Sequence, residues 1–162
     1  MNLKNLLSKS KYIDVLYVED DEDTRNDTHD VLNDIFLKVD SEGDGANGLD
    51  KYIQYHKETS KYYDLVISDI KMPNKNGITL CKDIFEINSS QIIIIISAHN
   101  NSEYLVELIN LGIRHFIQKP LELNNAFKVF HTTSSAIYSS RLIDEYNIKI
   151  KTMNHELKVL NE

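Results

Sequence analysis

Asp64-Leu-Val-Ile-Ser-Asp-Ile-Lys-Met-Pro-Asn-Lys-Asn-Gly77 is the stretch on which the reading of the chain turns. The apolar run Leu65 to Ile67 predicts a buried strand that delivers Asp69 to its C-terminal end. Pro73 and Gly77 then mark a loop, and Ile78, Leu80, Ile84 and Phe85 pattern a helix after it. A carboxylate at the end of a buried strand, followed by a turn, lies where open α/β sheets hold their chemistry. An ordinary Asp closing an ordinary strand has the same local pattern, so the flanking segments decide.

Working outward, Tyr12 to Val18 is rich in β-branched and aromatic residues and predicts a first strand. It runs into Glu19-Asp20-Asp21-Glu22-Asp23, whose acidic side chains suit the start of a helix; Val31, Leu32, Ile35 and Phe36 supply that helix with an apolar side. Leu37 to Ser41 predicts a weaker strand, with Gly43, Gly45 and Gly48 marking the loop behind it, and Leu49, Tyr52 and Ile53 pattern the next helix. Gln91 to Ile96 contains five consecutive isoleucines, as expected of a strand buried on both faces. Tyr104, Leu105, Leu108, Ile109 and Leu111 form a helical stripe stopped by Gly112. Ile113 to Gln118 predicts a fifth strand, and the chain is helical from Leu123.

Five alternations of strand and helix imply a doubly wound, mainly parallel α/β sheet. Right-handed crossovers place all five strand ends along one edge. That edge collects Glu19, Asp20, Asp69, Ser97 and Lys119.

At 162 residues the chain is about one domain. Its net charge of -7 argues against a nucleic-acid surface spread over the protein. Cys81 is the only cysteine, which excludes an internal disulfide and fits a reducing compartment. Met1 to Lys11 is too polar for a secretory signal, and the run Ile92 to Ile96 is far short of the ~20 residues of a membrane span. A cytoplasmic protein with no membrane insertion is expected.

Three converging carboxylates repel one another unless a cation sits among them. Oxygen-only ligands select a hard ion, and Mg²⁺ suits one or two carboxylates plus a phosphate. Ser97 offers a hydroxyl and Lys119 a positive charge, both suited to phosphoryl oxygens. The parts support an aspartyl phosphate formed on Asp69.

With Val15-Leu-Tyr-Val-Glu19-Asp20-Asp21, Asp69-Ile-Lys-Met-Pro73 with Gly77, Ser97-Ala98 and Lys119-Pro120 in this order, the chain resembles the response-regulator receiver domain of two-component signalling over Tyr12 to Phe130. The resemblance implies a flavodoxin-like five-stranded sheet of order 2-1-3-4-5. It implies that Asp69 is the phosphoacceptor. Asp20, Asp69 and the backbone carbonyl of Lys71 would bind Mg²⁺, and Glu19 would act through a metal-bound water. Ser97 and Lys119 would contact the phosphoryl group, Phe116 would be the aromatic partner of Ser97 in switching, and Lys119-Pro120 would be cis. Lys71 and His99 match positions that tune hydrolysis of the phosphoryl group in relatives.

By the same resemblance the donor is a sensor histidine kinase. The output is a protein-protein interaction, with a downstream protein or a C-terminal output module, and no nucleic acid within this chain. Such a phosphoprotein is a switch that takes part only in its own phosphorylation and dephosphorylation. An Asp-nucleophile, Mg²⁺-dependent phosphatase is the alternative in the enzyme class, but Lys71 stands where its general acid belongs. A pseudo-receiver binding module would have lost Asp69, Asp20 or Lys119, and all three are present.

Residues 1–11 read as a polar lead-in, 12–130 as the receiver and 131–162 as a helical extension. In the extension Ala136, Ile143, Ile150 and Leu157 recur every seven residues, with Ser139, Tyr146, Met153 and Leu160 three further on. That a/d pattern predicts a coiled coil that would make a homodimer through the C-terminal helix; an amphipathic helix folded back on its own domain is the alternative.

Overall fold

In the computed structural model, which describes residues 3–98 and 102–161, five strands form one parallel sheet in the order β2-β1-β3-β4-β5. The elements run α1 (Leu3–Ser10), β1 (Asp14–Val18), α2 (Glu22–Ile35), β2 (Lys38–Glu42), α3 (Gly45–Thr59) and β3 (Leu65–Ser68). There follow α4 (Gly77–Ile87), β4 (Ile93–Ser97), α5 (Ser102–Leu111), β5 (His115–Gln118) and α6 (Leu123–Leu160). The expected flavodoxin-like order is the observed one. The chain reverses its direction of winding between β1 and β3, and this opens a crevice at their C-terminal ends.

Alternation along each strand sorts side chains between the two faces. Val15 and Tyr17 of β1 join Ile67, Ile94, Ile117, Leu32 and Phe130 in the core under α1, α2 and α6. Leu16 and Val18 join Val66, Ile95, Tyr52, Leu80, Ile84 and Leu108 under α3, α4 and α5. With helices on both faces, the central strands can be apolar at every position, and β3 and β4 are buried throughout. Each fully buried Leu or Ile contributes about 1.5–3 kcal/mol.

The loop expected around Gly43, Gly45 and Gly48 is shorter than its glycines suggest, because α3 already begins at Gly45. Gly48 lies inside the helix, where a Cβ would come within 2.9 Å of Val18 Cγ2. It serves the close approach of α3 to β1 rather than a turn.

The segment ahead of β1 forms the two-turn helix α1, which packs against α6. Leu6 is buried in the same core as Phe130 and Ile137, and Lys9 Nζ donates to Ser135 Oγ at 3.3 Å. Farther along α6, Arg141 donates to the carbonyl of Tyr12 at 2.7 Å and pairs with Asp64. Beyond that anchor, residues 142–161 are all exposed. Among the described residues no helix is long and apolar enough to cross a membrane.

Candidate functional site

Three strands carry the crevice residues, and the sheet ladder runs one residue past each of them. Glu19 N–H donates to the carbonyl of Glu42 at 3.1 Å, Asp69 N–H to Val18 at 3.0 Å, and Lys119 N–H to Ser97 at 3.1 Å. The backbones at Glu19, Asp69 and Lys119 are therefore held as firmly as the strands. Pairing of Val18 with Ser68 sets Glu19 and Asp69 side by side.

Lys119 Nζ bridges these two carboxylates, donating to Glu19 Oε2 at 2.5 Å and to Asp69 Oδ2 at 2.8 Å. Both carboxylates are largely buried, with side-chain exposures of 2% and 11%. Their remaining oxygens take backbone donors: Ile70 N–H reaches Asp69 Oδ1 at 2.6 Å, and Asp21 N–H reaches Glu19 Oε1 at 3.2 Å. Asp20 is exposed, and its carboxylate closes a group in which oxygens of Glu19, Asp20 and Asp69 lie within 4.8 Å of one another.

The charge balance of this group is unequal. Burial pushes the Glu19 carboxyl above its usual range, against the lowering effect of its hydrogen bond with Lys119. Burial acts downward on Lys119, but its hydrogen bonds to Asp69 and Glu19 win and hold the ammonium above its usual value. Lys119 thus pairs with the two buried carboxylates, and Asp20 adds a third negative charge beside them. An all-oxygen donor set with surplus negative charge fits a hard divalent cation.

The loops around the cluster are braced. Asp21 caps α2 by accepting from Thr24 N–H at 2.7 Å. Arg25 Nη1 donates to the carbonyls of Glu19 at 2.8 Å and Asp20 at 3.3 Å. The Asp21/Thr24 spacing is a readable capping signal, whereas Arg25 has no local signature. After β3, Gly77 N–H donates to the Ile70 carbonyl at 2.7 Å. A Cβ at Gly77 would fall 2.0 Å from the Asp69 carbonyl oxygen, so only glycine fits there. Asn74, at φ 64°, donates to Asp44 at 3.0 Å and ties this loop to the start of α3.

Of the residues singled out from sequence, Glu19, Asp20, Asp69 and Lys119 are brought together at one crevice. Ser97 is buried at the end of β4, and Lys71 lies exposed in the loop after β3. Phe116, on β5 opposite Ile95, is half-buried against the core under α3, α4 and α5. The Lys119-Pro120 bond is cis. His99 lies outside the described residues.

Comparison with known proteins agrees with this geometry. The family model of the response regulator receiver domain matches residues 15–131. The chain is 34% identical over 109 residues to the response regulator ArlR of Staphylococcus aureus, covering 67% of this chain and 47% of that protein. It thus spans about half the length of the curated relatives it matches. A CheY-like receiver domain from Methanospirillum hungatei has a similar fold, with a TM-score of 0.70 at 19% identity over 80% of this chain and 98% of that one. A chain of the CheX-CheY-BeF₃-Mg²⁺ complex from Borrelia burgdorferi is 26% identical, with a TM-score of 0.65 over 80% of this chain and 98% of that one.

Proposed function

The chain belongs to the response regulator receiver domain family, and from that premise we propose that Asp69 accepts a phosphoryl group from a sensor histidine kinase. The observation that carries this reading is the Lys119 ammonium seated between Asp69 and Glu19 in the crevice. An oxygen of Asp69 forms the new bond to phosphorus as the bond between phosphorus and the kinase imidazole nitrogen breaks. The departing nitrogen keeps the electron pair.

Each residue has a task in that transfer. Ile70 N–H and Lys119 fix the Asp69 carboxylate by one bond to each oxygen, which orients it before the donor arrives. Lys119 then neutralises charge on the phosphoryl oxygens, and the Ser97 hydroxyl donates to another of them. Asp20, Asp69 and the Lys71 carbonyl would hold Mg²⁺, with Glu19 acting through water. The ion supplies charge neutralisation for the phosphoryl oxygens and the carboxylates. The acidic oxygen cluster supports this assignment, as does the Mg²⁺ in the Borrelia complex.

Output is a protein-protein interaction. Phosphoryl contact by Ser97 biases the half-buried Phe116 between two positions, and the two must differ in free energy with phosphate bound for a signal to pass. The partners are the kinase and a downstream protein or appended output module, and the extension 131–162 joins two copies of the chain. Lys71 stands where a phosphatase would place its general acid, which favours the switch.

The test is incubation with a small phosphodonor and Mg²⁺, followed by intact mass. One phosphoryl adduct is expected, absent in Asp69→Asn and absent when the divalent ion is chelated. An adduct that persists in Asp69→Asn would overturn the assignment.

A further inference from the structure

The second half of α6 carries a run of exposed apolar side chains. Ile143, Tyr146, Ile150, Met153, Leu157 and Leu160 are between 54% and 82% exposed. They form one stripe at a/d spacing. The receiver-facing side of α6 runs through Ala126, Phe130, Thr133, Ser134 and Ile137 to Arg141. In the same heptad these are b, e and f positions, so the a/d stripe points away from the domain. A helix with this much apolar surface in water gains its stability from packing. The stripe begins directly after the Arg141 anchor.

We infer that this stripe is the seam of an antiparallel helix pair with a second copy of the chain. The clasp deepens the dimer proposed above and rests on it. Its orientation comes from the flanking columns. The g positions are Leu142, Lys149 and Glu156, of which two are charged, and the e positions are Ser140, Asn147, Asn154 and Asn161. In a parallel pair g faces e of the partner, so Lys149 meets Asn154 and Glu156 meets Asn161, with no charge complementarity. In an antiparallel pair g faces g and e faces e. Lys149 then meets Glu156 of the second copy twice by symmetry, and Asn147 meets Asn154.

The same alignment seats every seam residue. Ile143 faces Leu160, Tyr146 faces Leu157, and Ile150 faces Met153 of the second copy, so each layer sets a differently shaped pair together. Lys149 already lies over the Tyr146 ring at 5.8 Å, which puts its charge at the edge of the seam. Antiparallel pairing sends the two receivers to opposite ends of the clasp. The crevices with Asp69 therefore stay apart and open to their donors.

Two measurements on the full chain test this. Tyr146→Cys and Leu157→Cys chains are mixed and oxidised; Cys81 is buried and stays silent. Disulfides between position 146 of one copy and 157 of the other are expected, while 146–146 and 157–157 links are the result for a parallel pair. Those positions are about 16 Å apart along a helix, so the patterns do not blur. Lys149→Glu is expected to weaken the dimer about tenfold, because two attractive contacts become repulsive, and adding Glu156→Lys restores it. A parallel link pattern, or indifference to both charge changes, overturns the orientation alone. A monomer by light scattering overturns the dimer as well.

Discussion

Replacing Lys119 with Met removes the cation that pairs with both Glu19 and Asp69 while keeping most of the side-chain volume. Breaking a buried ion pair by deleting one partner costs about 3–5 kcal/mol, since the other charge is left desolvated. Here two carboxylates lose a partner at 2.5 and 2.8 Å, but the crevice is open enough that Lys119 keeps 22% of its side-chain exposure. The low end of the range applies. Protonation sets an independent ceiling, because a stranded carboxylate can always take up a proton. From a glutamate pKa of about 4.3, that costs about 1.36 kcal/mol per pH unit, or about 3.7 kcal/mol at pH 7 and about 1 kcal/mol at pH 5. The expected loss in Lys119→Met is therefore about 3 kcal/mol at pH 7, shrinking to about 2 kcal/mol or less at pH 5, where each of the two carboxylates can be neutralised for about 1 kcal/mol. Burial already raises the Glu19 carboxyl, the direction that eases its protonation. Urea unfolding followed by circular dichroism at pH 5, 6, 7 and 8 without divalent ions measures this. Millimolar Mg²⁺ should restore part of the loss at pH 7 by taking over the neutralisation. A loss below about 1 kcal/mol at pH 7, or one that does not vary with pH, would refute the coupling of Lys119 to buried carboxylates.

Three other outcomes follow from the packing. Leu6→Ala, at a position 1% exposed between α1 and the core, should cost about 2–4 kcal/mol in urea unfolding; a change within 0.5 kcal/mol, the surface norm, would mean that α1 is not docked. Asp44→Ala removes the cap on Asn47 N–H and the tie to Asn74, at a cost of about 1 kcal/mol. The backbone hydrogen bond from Asn47 holds the Asp44 carboxyl below its usual range. Its contribution is thus complete above the ordinary carboxylate pKa and lost as pH falls through the lowered one, and wild type and variant should converge in acid. Burial pushes the Cys81 thiol up to about 12, so a thiol reagent at pH 8 should leave it unmodified until urea unfolds the chain.

The chain order of strands and helices was legible because burial is written locally. Strands buried on both faces read as apolar runs, and Leu65 to Ile67 and the isoleucines up to Ile96 carry that mark whatever surrounds them. Alternation then implied the parallel sheet, and strand ends placed Glu19, Asp69, Ser97 and Lys119 on one edge. A local code also misleads where the cause is remote: Gly45 and Gly48 looked like a loop, whereas Gly48 answers to Val18, 30 positions earlier.

What only the tertiary structure decided are the pairings between segments with no sequence proximity. Lys119 joins partners 100 and 50 residues away, and Arg141 reaches Tyr12 across 129. No periodicity encodes such a pairing, because it depends on which strand lies beside which and how far each side chain reaches. The same holds for Arg25, which braces the backbone of Glu19 and Asp20, and for Leu6, which makes α1 part of the core. Local propensity and burial period belong to neighbours in the chain, and they determined the elements of this protein. Charge balance belongs to neighbours in space, and it exists only once the sheet has brought them together.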